Sequence, residues 1–214
     1  MLQQEISKKC ADSLRKFTQE NYKIKLKASH AHELVATYFG YRSKNALLAD
    51  QLYSISRIAE AVVFIMIQDS VIDKRRKDFI DLSEDLPDSY SLGEAVYAPL
   101  FSDESLYKSE YPPFRSYLSF AKYYIDNSQR WRENFQQFGS FSFDHIFDVV
   151  EEKDFVLLAI THTSKASENE YIGIGKTTLK LPRAMGKVGF LEPEVNFESW
   201  SGQARKHFKL SNRG

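Results

Sequence analysis

Three short stretches of this 214-residue chain carry residue types that do chemistry. His30-Ala-His32 offers two imidazoles, the commonest metal-binding side chains. On a helix, residues two apart point about 200° away from each other, so both grip one ion only where the chain is extended. A histidine pair near a helix start is the reading, with no metal. Gly173-Ile-Gly175-Lys-Thr-Thr178 has the end of the phosphate loop GxxxxGK[ST]. Glu170 stands where the first glycine belongs, and 178–182 is strand-like and stopped by Pro182, where a helix must follow. This reads as a strand edge with solvated lysines. The third stretch is ATYFGYRSKNAL, residues 36–47, where Arg42, Ser43, Lys44 and Asn45 follow Gly40. Arg and Lys suit guanine edges or phosphates, and Asn suits adenine.

Other reactive residues stand apart in sequence. His145, His162 and His207 have no ligand spacing around them. Cys10 falls on the apolar face of the first helix and reads as a small buried hydrophobe. Neither a serine nor a cysteine has a nucleophile elbow or a paired base. Lys74-Arg-Arg-Lys77 is flanked by Asp69, Asp73, Asp78 and Asp81, and i,i+4 pairs such as Asp73–Lys77 and Lys74–Asp78 would neutralise much of it. Asp81, Glu84, Asp85 and Asp88 form an acidic loop around Pro87, a surface for a basic partner or for the N-terminal lysines.

Composition is that of a globular protein, with 43% hydrophobic and 27% charged residues. One cysteine excludes an internal disulfide and a multi-cysteine zinc site. The start, MLQQEISKKC, has no apolar signal region. The longest apolar run, Ala61 to Ile67, is too short to cross a bilayer, so a cytoplasmic protein without a membrane partner is expected. Net charge is zero, yet residues 1–60 carry +4, 61–150 carry −6 and 151–214 carry +2. Attraction to nucleic acid is therefore confined to the N-terminal part.

The elements that would position these residues follow from periodicity. Ile6, Cys10, Leu14 and Phe17 mark a helix over 6–21. Lys23-Ile-Lys-Leu-Lys27 alternates like a short strand or an extended arm. Ser29 suits the cap of a helix over 30–39, Gly40 the left-handed turn ending it, and Ser43 the cap of a third helix through Leu52. Residues 55–67 suit helix and strand equally. Asp69 or Ser70 caps the next helix, and Ser91 opens one that stops near Pro99. Phe114, Leu118, Ala121, Ile125, Trp131, Phe135 and Phe138 lie along one side of a helix broken near Asn127-Ser128 and ended by Gly139. Strands are expected at 155–161, 171–181, 188–190 and 195–200. The expectation is an α+β fold: a helical module over 1–60, then a 61–214 domain with helices to about 140 and a small, mostly antiparallel sheet from about 150. The middle and the sheet would share one core.

Residues 36–47 resemble the second helix-turn-helix of arabinose-regulator-type transcription factors, roughly A-x-x-x-G-[FY]-x-S-x-x-x-F. The longer segment Ser29-His-Ala-His-Glu-Leu-Val-Ala36, continuing through Gly40-Tyr41 to Asn45-Ala-Leu47, resembles a small helical module of bacterial proteins. Some of these are labelled glyoxalase-related, and some are associated with plasmids and other mobile elements. The resemblance covers about 45 residues, and the metal-binding units of true glyoxalases are missing from the sequence. That label implies little chemistry; the helix-turn-helix resemblance implies a non-enzymatic bacterial binding protein without cofactors, from a mobile element, touching DNA through Arg42, Lys44 and Asn45, with Lys23, Lys25 and Lys27 on phosphates. The alternatives are a protein-interaction adaptor or assembly subunit with no DNA contact, and an enzyme whose catalytic residues are dispersed.

Overall fold

In a computed structural model, residues 2–102, 106–135, 143–167 and 170–199 are described. The fold is α+β. The chain forms two compact units, one of residues 1–120 with 182–192, the other of 121–181 with 193–214. The division does not fall at residue 60. Residues 61–120 pack with the N-terminal helices, and the middle segment from 121 packs with the strands within 143–181 and 194–199.

In the first unit, α1 (Leu2–Tyr22) buries Ile6, Cys10, Ala11 and Leu14 at the expected spacing. Burial pushes the Cys10 thiol up to about 12, so it is an inert apolar group. The chain then reverses at Lys23, whose φ of 61° is left-handed, and 23–27 is irregular rather than a strand. Helix α2 (Ala28–Tyr38) starts one residue before Ser29, with Lys27 in the cap position. Gly40 makes the left-handed turn at φ +85°. The Ser43 hydroxyl accepts the Ala46 N–H at 3.1 Å and caps α3 (Lys44–Ala49). This helix stops short of Leu52, because the Asp50 carboxylate takes the Leu52 and Tyr53 N–H groups and turns the chain.

The ambiguous stretch 55–67 divides into a 3-10 turn, Ile55–Glu60, and strand β1, Val63–Phe64. Helix α4 (Asp69–Arg76) has Gln68, not Asp69 or Ser70, in its cap position. Helix α5 (Ser89–Phe101) is capped by Asp88, whose carboxylate accepts the Ser91 N–H at 2.9 Å. It also continues through Pro99. Aromatic rings pack the centre of this unit: Tyr97 meets Tyr38, Phe39 and Phe64 edge-on at centroid distances of 5.9, 5.8 and 5.0 Å.

Beyond it come α6 (Tyr117–Asn127) and α7 (Gln129–Phe135). The expected break falls at Ser128, whose hydroxyl accepts the Trp131 N–H. Phe114 is not helical but bridges Ile65 in parallel. Phe138, Gly139, Trp200 and His207 lie outside the described residues. Strand β2 (Phe143–Glu151) pairs antiparallel with β3 (Phe155–Ser167), so the sheet begins at 143 rather than near 150. Strand β4 (Glu170–Met185) lies between β3 and β6 (Glu194–Ser199), which pairs with residues 175–180, so that stretch is no sheet edge. At Gly175 a Cβ would lie 2.5 Å from the Phe135 ring, which explains this glycine without any phosphate.

The last residues of β4 and the short β5 (Gly189–Phe190) return to the first unit, where β5 pairs with β1. Their turn presses on the α2–α3 corner: Lys187 N–H donates to the Phe39 carbonyl at 3.1 Å and Gly186 N–H to that of Tyr53 at 2.8 Å. A Cβ at Gly40 would sit 2.6 Å from the Lys187 side chain. Gly40→Ala should therefore cost about 1–3 kcal/mol through both the left-handed φ and this contact. A urea midpoint that does not move would show that the corner needs neither.

Candidate functional site

The corner between α2 and α3 is where the structure gathers cations. Arg42 and Asn45 are exposed and Lys44 is half-buried. The Lys44 N–H donates to the Glu33 carboxylate at 3.2 Å, leaving its side chain as the cation of that residue. Two cations from distant segments join them, one from the basic run 74–77 and one that no sequence pattern marked. Arg75, at the end of α4, donates to the Arg42 carbonyl at 2.8 Å. Lys187, exposed, lies over Gly40. Only backbone docking of a remote hairpin places Lys187 there, so no local pattern announces it.

Helix α4 and the residues after it run along α2 from this corner. Arg75 touches Arg42, Phe79 faces His30 at a centroid distance of 6.1 Å, and Asp81 pairs with Lys27 at 3.4 Å. The basic run therefore lies between the corner and the N-terminal lysines. Its ion pairs are i,i+3, Asp73–Arg76 at 3.8 Å and Arg75–Asp78 at 3.1 Å, instead of the i,i+4 pairs expected. That choice leaves Lys74 and Lys77 exposed, with no ion pair among the described residues. Of the N-terminal lysines, Lys23 donates to the Glu20 carbonyl, Lys25 is exposed and Lys27 is shared with Asp81. Helix α2 separates the two groups of cations by about 16 Å, its eleven residues rising 1.5 Å each.

The histidines divide into two cases. His30 and His32 sit in the first turns of α2, and burial holds the His32 pKa below its usual value. Among the described residues, no three His, Cys, Asp or Glu side chains gather as a metal site would need. His145 and His162, isolated in sequence, face each other across the β2–β3 ladder with their Nδ1 atoms 2.9 Å apart. His162 Nε2 is 3.2 Å from the Trp131 indole nitrogen and 2.6 Å from the Thr177 hydroxyl.

An indole N–H only donates, so His162 Nε2 must carry a lone pair. A neutral His162 then has its proton on Nδ1 and donates it to His145 Nδ1. Neither Nδ1 atom has a lone pair free for a metal in this arrangement. The Thr177–His162 pair has the spacing of a nucleophile and its base, but both side chains are fully buried. No substrate reaches them, and the cluster holds the sheet to α7. Burial, and secondarily His145, pushes the His162 pKa down to about 3. Burial also lowers that of His145, opposed by the carboxylates of Asp126 and Asp144.

No family model, curated protein or solved structure matches the chain.

The buried cluster makes stability pH-dependent. His162 stays neutral in the folded state down to about pH 3 and takes up a proton near 6.5 when unfolded. Its contribution is complete above pH 6.5 and is lost as the pH falls from there toward 3. His162→Leu leaves Trp131 and Thr177 without their acceptor and should cost about 1–3 kcal/mol at pH 7. The deficit should shrink at pH 4 in urea unfolding followed by tryptophan fluorescence. A deficit constant between pH 7 and 4 would contradict this assignment.

Proposed function

We propose that the protein binds nucleic acid through the cationic track of its N-terminal unit, chiefly by contacts to phosphates. The reading is carried by the convergence of two exposed cations distant in sequence, Arg42 and Lys187, at one corner braced by the half-buried Arg75, which is paired with Asp78. From there Lys74 and Lys77 lead toward Lys23, Lys25 and Lys27 at the other end of α2. A track of this length meets several phosphates of one strand, and each neutralised phosphate adds salt-dependent, sequence-blind affinity.

Base reading on this proposal is narrow. Helix α3 has six residues and is about 9 Å long, so only its first turn enters a groove. Arg42 and Asn45 are the side chains placed to touch base edges, with Lys44 beside them on the backbone. Asp78 and Asp81 interrupt the track, which keeps the affinity modest and steeply dependent on salt.

Fluorescence anisotropy with a short DNA duplex tests this. The logarithm of affinity should fall with the logarithm of salt concentration with a slope of about −3 to −5. Arg42→Ala and Lys187→Ala should each weaken binding to any sequence and reduce that slope by about one. Circular dichroism would confirm that the variants stay folded. Absence of binding at low salt, or equal binding by the Arg42→Ala/Lys187→Ala double variant, refutes the proposal.

A further inference from the structure

A second feature of the first unit has no part in that track. Strand β1 and the segment at Phe114 run in parallel, joined by the Met66 N–H to the Phe114 carbonyl and the Phe114 N–H to the Phe64 carbonyl, both at 2.8 Å. Both chains therefore leave at the same end. There the first continues to Asp69 at the start of α4, and the second to Arg115. Crevices outside the carboxyl ends of parallel chains are where α/β proteins commonly place ligands. Here a cavity of about 280 Å³ opens at that end, bounded by the first turns of α4 and α5.

Most of its polar wall is already satisfied from within. The Tyr38 hydroxyl donates to the Ser89 carbonyl, the Tyr97 hydroxyl to the Tyr38 carbonyl, and the Ser89 hydroxyl to Asp73. Gly93 adds no side chain, and Met66 and Tyr97 give the floor an apolar character. Two charges remain. The Arg115 guanidinium carbon lies over the Tyr90 ring, 3.8 Å from its centroid, and the group donates one N–H to the Tyr90 oxygen, whose own O–H goes to Glu94. The guanidinium is thus oriented with further donors unspent. Asp69 accepts no hydrogen bond and closes no ion pair among the described residues. Arg115 is near enough to influence the Asp69 carboxylate, yet the two do not meet within the 4.0 Å of an ion pair.

We propose that this cavity binds a small zwitterion, a free amino acid with an apolar side chain, its ammonium on Asp69 and its carboxylate on Arg115. The apolar side chain lies against Met66 and Tyr97. A lone anion is disfavoured, because the Asp69 carboxylate lines the same cavity and Glu94 is tied to Arg115 through the Tyr90 hydroxyl. A lone amine leaves Arg115 unmatched. The volume, at the lower end of the usual range for ligand pockets of about 300–1,000 Å³, excludes a nucleotide. Burial and the charges of Asp73 and Asp88 raise the proton affinity of Asp69, a penalty that an ammonium group would relieve.

The inference is independent of nucleic-acid binding and is tested without it. Isothermal titration of the full chain would compare L-phenylalanine and L-leucine with phenethylamine, 3-phenylpropionate and inorganic phosphate. The amino acids should bind in the micromolar to millimolar range, and either single-charge analogue about tenfold or more weakly. Asp69→Asn and Arg115→Gln, both at exposed positions, should each weaken amino-acid binding about tenfold with an unchanged circular dichroism spectrum. The proposal fails if no amino acid binds at about 10 mM, if an analogue or phosphate binds as tightly, or if both variants bind like the parent.

Discussion

The first unit depends on the meeting of two left-handed glycines. Gly40, at φ +85°, turns the chain from α2 into α3, and Gly186, at φ +51°, turns it from β4 into β5. Each lies where the other segment passes. A Cβ at Gly40 would enter the Lys187 side chain, and one at Gly186 would come within 2.7 Å of the Phe39 carbonyl. Backbone hydrogen bonds fix the contact, and Tyr41 seals it by donating to Asp50 or the Tyr53 carbonyl, at 2.8 and 2.9 Å. The segment 182–192 is thereby built into the N-terminal unit, although about sixty residues of the other unit intervene. Glycine suits both turns because φ is left-handed at each and an added Cβ would meet the Lys187 side chain at one and the Phe39 backbone at the other.

Helix α4 serves this unit at both ends. Its first residue, Asp69, lines the cavity at the exit of β1, and Arg75, near its last, ties down the carbonyl of Arg42. Eight residues span about 12 Å, so one short rigid element links an acidic rim to a basic corner. The same helix shows how charge patterns gain meaning from their surroundings. Asp73 turns toward Arg76 and Ser89, and Asp78 toward Arg75, because those partners are themselves held by α5 and by the corner. Lys74 and Lys77 are left to solvent.

The second unit rests on donor and acceptor matching instead. A tryptophan N–H, a threonine hydroxyl and two imidazoles satisfy one another beneath α7, and each hydrogen bond fixes where the next proton must lie. The restriction that Trp131 imposes turns a pair resembling a metal clamp or a catalytic dyad into a neutral, structural one. Gly175 lets Phe135 close the same packing, which accounts for a glycine that sequence comparison with a phosphate loop had singled out.

Local sequence determined much of this protein. Period-3.6 spacing set α1, and the short polar side chain of Ser43 and the absent side chain of Gly40 set the α2–α3 corner, since caps and left-handed turns are decided within a few residues. The kink at Ser128 and the strands at β3, β4 and β6 were legible for the same reason, as was the α+β class. Strand β2 was not, because it mixes acids with exposed Ile146, Val149 and Val150 and lacks the inward–outward contrast that marks a half-buried strand. Tertiary structure alone decided the division into units, the arrival of Lys187 and Arg75 at Arg42, the opposition of Asp69 and Arg115, and the meeting of His145 with His162. Each joins residues whose sequence separation carries no periodic signal, and only the pairing of strands and the docking of backbones brings them within reach.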